Sequence, residues 1–137
     1  LGVERAGHVT GLDQLDDPAV VIAVQSGTTG ALKAKARFPN ATLRLFGTED
    51  DAANELIVGR AHAFVYDVAS VLRRHARNPD ITRILDADLG TEDYCIAFPK
   101  GSPLRAEADA FLAANAAWIA ERIDVWFPED VRAHLRR

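Results

Sequence analysis

VIAVQSGTTGALKAK, residues Val21 to Lys35, decides the reading of this chain. Its first half, with Val20, is an apolar and mostly β-branched run, the pattern of a strand buried on both faces. Ser26-Gly27-Thr28-Thr29-Gly30 then breaks the run, and Ala31 to Phe38 supplies helix formers with a basic second half. Pro39-Asn40 stops the helix. A buried strand, a short Gly/Thr turn and a helix make the opening of a βαβ unit.

The same alternation continues downstream. Thr42 to Phe46 predicts a second strand, and Gly47-Thr48 a cap for a helix over about Asp51 to Val58, with Gly59 as a left-handed terminator. Ala61 to Tyr66 predicts a third strand and Asp67 to Arg77 a helix; Asn78-Pro79 ends it before a short fourth strand at Ile81 to Leu85. Upstream, Thr10 to Leu15 suits a single helical turn. After Gly90 the pattern changes. Tyr94 to Phe98 reads as a strand, Leu104 to Ile123 as one Ala-rich helix, and Pro128 to Arg137 as a basic, solvated terminal helix. The expected fold is a three-layer α/β sandwich around a mostly parallel sheet, followed by C-terminal helices. Its divisions are a lead-in (1–18), a lobe (19–93) and a C-terminal segment (94–137).

Composition narrows the function. The chain has 137 residues, 48% hydrophobic and 26% charged, with net charge −4. That suits one buried core and offers no basic footprint for nucleic acid. One cysteine, Cys95, forms no internal disulfide; its mid-strand position suggests a buried, inert thiol. His8, His62, His75 and His134 share no metal-ligand or nucleophile–base spacing, so neither metal nor cofactor is expected. No apolar run reaches the roughly 18–20 residues that span a bilayer, and the stretch Leu1 to Pro18 does not read as a signal peptide, with no basic start, apolar stretch or small-residue cleavage site. Met is absent, which reads as a processed chain or a piece of a longer one.

In an open parallel sheet, ligands sit beyond the carboxyl ends of the strands. Two turns there carry chemistry. Gln25-Ser26-Gly27-Thr28-Thr29 opens a helix, where free N–H groups and the helix dipole attract an anion; Thr28 or Thr29 serves equally as a plain N-cap. Asp67, after Tyr66, is a helix cap or a partner for a cation. Together the turns suit the two ends of a zwitterion. The first lacks the Gly-Lys-Ser/Thr ending and the Gly-x-Gly-x-x-Gly spacing of nucleotide loops. A phosphoacceptor role for Asp67 fails too, because Gln25-Ser26 stands where an Mg²⁺-binding acidic pair would be. Lys33, Lys35 and Arg37, with Arg73, Arg74 and Arg77, read as solvated helix faces.

Four segments in order resemble the second lobe of periplasmic amino-acid-binding proteins, the solute-binding family of polar amino-acid ABC importers. They are Val21 to Lys35, Asn54 to Ala63 (NELIVGRAHA), Val65-Tyr66-Asp67, and Tyr94 to Ser102 (YCIAFPKGS). With the lead-in Val9 to Asp17, the resemblance covers about residues 9–127. It implies a type II periplasmic-binding-protein fold in which Gly27-Thr28-Thr29 binds an α-carboxylate and Asp67 an α-ammonium, with Gln25 and Tyr66 beside the cleft. It further implies an extracytoplasmic location and transporter membrane subunits as partners. The family's first lobe and first hinge strand have no counterpart here, and Asn115-Ala116-Ala117-Trp118 replaces its Asp-Gly-Thr-Tyr turn. Half a binding site, weak binding, and oligomers or a domain swap through residues 94–137 are the corresponding expectations. The alternatives are the ligand-sensing domain of a membrane kinase, or an enzyme like the cyclohexadienyl dehydratases, which resemble these binding proteins. No residue presents itself as catalytic, and binding is the expected function.

Overall fold

The apolar run at Val21 becomes the middle of a sheet. In the computed structural model, which describes residues 1–2, 7, 9–85, 89–127 and 129, Val21–Gln25 forms β1. It is flanked by Thr42–Phe46 (β2) and Ala63–Val65 (β3), all parallel, in the order β2-β1-β3. Ile22, Ala23 and Val24 are wholly buried because helices cover both faces of this strand. On one face Ile22 and Val24 pack with Ala31, Ala34 and Phe38, from Thr29–Arg37 (α1) and its end. On the other, Ala23 meets Ala52 of Glu49–Ile57 (α2) and Ala61, with Val21, Phe46 and Phe64 around them. That second interface is lined by methyl groups, so the helix lies close to the sheet. These are the three expected layers.

Local chemistry sets the helix ends. Thr28 Oγ1 accepts from the Ala31 amide (3.2 Å) and starts α1. Thr48 Oγ1 does the same for Asp51 (3.1 Å), which puts the start of α2 two residues earlier than expected. Glu49, Asp50 and Asp51 then fall in the first turn, where the helix dipole favours negative charge. Gly59, at φ +71°, terminates the helix as expected. Val68–Arg77 forms α3, capped by Asp67 and closed at Asn78, before Pro79.

The predicted fourth strand does not form. Thr82 makes only a single antiparallel bridge, to Gly2, whose own amide donates to the His62 carbonyl (3.1 Å). Residues 1–2 thus hold the place beside the start of β3 that segment 81–85 would need. The predicted third strand is also shorter, because the Ala61 amide turns back to the Glu55 carbonyl (2.9 Å).

The chain divides into two compact units, Leu1–Gly90 and Thr91–Arg137. In the second, Tyr94 to Phe98 is not a strand among the described residues. Tyr94 is 83% exposed, and so exposed a segment gains little from a β-propensity that rests on packing against other side chains. Cys95 is accordingly exposed, contrary to the buried position expected of it. The single helix predicted over Leu104 to Ile123 is two, Leu104–Ala114 (α4) and Ala116–Trp126 (α5). Asn115 separates them: its Nδ2 donates back to the Phe111 carbonyl (2.8 Å) while its own carbonyl accepts from Ile119 (2.9 Å). Neither helix has a buried residue. The helix expected at Pro128 to Arg137 lies outside the described residues, Glu129 excepted.

Candidate functional site

Strand order and helix placement single out one edge of the sheet. From β1 the chain leaves into α1 on one face of the sheet. From β3 it leaves into α3, which lies with α2 on the other face, joined to it through Arg74. Adjacent parallel strands whose helices depart on opposite faces define the switch point at which such sheets bind ligands.

On the β1 side, Ser26 extends the ladder by one bond, its amide donating to the Phe46 carbonyl (2.8 Å). Gly27 then turns the chain at φ +76°, a left-handed conformation that a side chain would strain. Thr28 is half-buried and makes two bonds through one hydroxyl, donating to the Gln25 carbonyl (2.8 Å) and accepting from Ala31. Thr29 follows as the exposed first residue of α1. No acidic residue occupies that first turn, whereas the first turn of α2 carries three and α3 is capped by one. Of the three helix starts at this edge, α1 is the one with an uncompensated positive pole.

On the β3 side, the Tyr66 hydroxyl donates to Gln25 Oε1 (2.9 Å), and Gln25 Nε2 donates to the Gly47 carbonyl (3.3 Å). These bonds link the ends of all three strands. The Tyr66 ring stacks on Phe64, with centroids 5.8 Å apart and planes at 12°. Burial, reinforced by the charges of Glu49 and Asp67, raises the phenol above its ordinary value, so the hydroxyl stays protonated as a donor. Asp67 is exposed, and its Oδ1 accepts from the Ser70 amide (3.0 Å). Thr28 and Asp67 are therefore both caps, and the six residues singled out in the sequence stand at one edge of the sheet.

The sequence reading missed the polar cluster beside them. Buried Ser70 donates its hydroxyl to Glu49 (2.6 Å), which also accepts from Arg74 Nε (3.0 Å), while Arg73 donates to Ser70 Oγ (2.6 Å). Arg74 also pairs with Asp50 and is 21% exposed, so it is not the solvated surface residue expected. Burial by itself would raise Glu49, but the Ser70 hydroxyl and the Arg74 guanidinium hold it below its ordinary value. Glu55 is likewise buried, between Arg44 (2.6 Å) and Arg60 (2.5 Å), and the Arg60 hydrogen bond leads in lowering it. The acid-rich start of α2 was the available signal, but its partners lie 21 to 25 residues on.

The histidines in view are structural. His62 Nδ1 accepts from the Val21 amide (3.0 Å), and His75 Nδ1 lies 3.0 Å from Thr82 Oγ1. His8 and His134 lie outside the described residues. Among the described residues no cluster of His, Cys, Asp and Glu is placed to hold a metal, and no helix is long and apolar enough to cross a membrane.

Solved structures place the architecture. An ancestral amino-acid-binding protein, a precursor of cyclohexadienyl dehydratase, matches 60% of this chain at 29% identity and TM-score 0.52. The fold is that of one lobe of a type II periplasmic-binding protein. An ancestral cyclohexadienyl dehydratase matches 92% of the chain at 18% identity and TM-score 0.59, a likeness of fold alone. An ancestral cationic amino-acid solute-binding protein is 36% identical over 49% of the chain, at TM-score 0.46. The lobe spans 35%, 54% and 29% of these three structures, respectively. No protein-family model matches the chain, and no curated protein matches it significantly.

Proposed function

We propose that this lobe binds the zwitterionic backbone of an amino acid, as part of an extracytoplasmic receptor that delivers its ligand to ABC-transporter membrane subunits. The reading rests on one observation: an acid-free helix start and an exposed carboxylate stand at the ends of adjacent parallel strands. The backbone at Gly27-Thr28-Thr29 takes the α-carboxylate, with the dipole of α1 behind it. Asp67 takes the α-ammonium. One of its oxygens caps α3, and a carboxylate has about four acceptor positions, so capacity remains for the ligand. Gln25 and Tyr66 form the wall between these poles.

Binding rather than catalysis is favoured by what the ionisable groups already do. Glu49 is held by Ser70 and Arg74, His62 by the Val21 amide, and His75 by Thr82. A general acid or base needs a proton position free for substrate.

Calorimetric or NMR titration of the chain with the common amino acids tests the reading, with Asp67→Asn as the discriminating variant. Asn caps a helix as well as Asp, so α3 should persist. Losing the charge should weaken amino-acid binding about 10-fold or more, the scale of one charge-assisted hydrogen bond. Binding of the matching carboxylic acid without its amine should stay unchanged. If both compounds bind equally to the unaltered chain, the ammonium site is not there. Turnover of a cyclohexadienyl acid would favour the enzyme instead.

A further inference from the structure

Where the Asp67 charge stands is decided at Ser70. Among the described residues the Asp67 carboxylate bonds to the Ser70 amide, through Oδ1 (3.0 Å), so the place of that amide fixes which way the carboxylate turns. A cap asks only for the amide, which any residue but proline supplies. Yet Ser70 is 3% exposed and its hydroxyl is fully used. It donates to Glu49 Oε1 and accepts from Arg73 Nη2, both at 2.6 Å. A hydroxyl has one proton, so the bond from Arg73 leaves that proton aimed at Glu49. Glu49 is itself gripped, because Arg74 donates to the same oxygen through Nε (3.0 Å) and Nη2 (2.9 Å). Glu49 opens α2 just after the end of β2, so these bonds tie the first turn of α3 to a second strand. Without them Asp67 depends on β3, which has only three residues.

We propose that Ser70 is a positioning residue for binding: its hydroxyl, held by Glu49 and Arg73, sets the place of the Asp67 carboxylate that receives the α-ammonium. The inference rests on the reading of Asp67 as the ammonium site and adds a residue that acts through it. Apolar packing would hold α2 to α3 as well, but it is non-directional and lets helices slide. A buried polar network with every member satisfied fixes one arrangement. That difference reaches the ligand, because a binding group must lie within about 0.5 Å of its productive place.

The experiment is calorimetric titration of the full chain with each common amino acid and its deamino acid, as glutamine with glutaramate or leucine with isocaproate. The readout is the ratio of the two affinities. Ser70→Ala keeps the amide that meets Asp67, suits a helix and removes only the hydroxyl. The amino acid should bind about 5-fold more weakly, the scale of one hydrogen bond put out of place, with the deamino acid unchanged. General loosening of the fold would weaken both alike, so the ratio separates positioning from support. Ser70→Cys keeps nearly the same volume with a poor donor and should show the same loss; Ser70→Thr retains the hydroxyl and should restore the ratio. In the Asp67→Asn background, Ser70→Ala should change nothing further. A ratio that survives both Ser70→Ala and Ser70→Cys, or a parallel loss of both compounds, overturns the positioning role and leaves the ammonium site standing. If every amino acid binds the unaltered chain no better than its deamino acid, the ammonium reading fails and the role of Ser70 fails with it.

Discussion

At the scale of single residues, the turn after β1 is held by conformation and one hydroxyl. Gly27 sits at φ +76°, and a Cβ built there meets nothing within 4 Å. The strain of any other residue would therefore come from the backbone alone. Gly27→Ala should destabilise the chain by about 1 kcal/mol, seen as a lower urea midpoint with an unchanged slope. At a position with negative φ the same substitution would stabilise, so a raised midpoint would contradict the turn described here. Thr28 was legible because a cap needs only local spacing, and Asp67 for the same reason. The Tyr66–Gln25 bond was not, since it joins residues 41 apart in the chain that come together only when β3 pairs with β1.

At the scale of elements, the start of α2 is locked to α3 through Ser70 and Arg74. Glu49 is the centre of that contact, and its carboxyl lies below the ordinary 4.5. A carboxylate depressed in the folded state contributes stability that is fully present above its ordinary value. That stability is lost as the pH falls through the folded one. The urea midpoint of the chain should thus decline as the pH drops below about 4.5, the unperturbed glutamate range. Glu49→Gln should be less stable at neutral pH and decline less steeply over the same interval. Parallel profiles for the two proteins would show that Glu49 makes no such contribution. Strands and helices built from local pattern were read correctly where a partner existed: Val21–Gln25, Thr42–Phe46 and the helices after them. Ile81 to Leu85 and Tyr94 to Phe98 have similar β-propensity, and neither forms a strand in the described residues.

At the scale of the whole molecule, the two units differ in what they bury. The first has a core on each face of β1, whereas α4 and α5 bury no residue, with Trp118 and Trp126 54% and 77% exposed. Helices of 11 residues are marginal by themselves, and local opening follows apolar burial. Amides of Ile22 to Val24 should therefore exchange with solvent only on global unfolding, and those of α4 and α5 far sooner. Equal protection would mean that α4 and α5 bury their apolar faces against a partner. The sequence by itself determined the βα alternation, the buried central strand and the caps at Thr28 and Asp67, because each follows from spacing within a few residues. Tertiary structure alone decided that Gln25 faces Tyr66, that Glu49 holds α3, that Glu55 is buried between arginines, and which β-prone segments become strands. Those outcomes depend on pairing and burial between different elements of the fold, and local pattern carries no record of which group will arrive there.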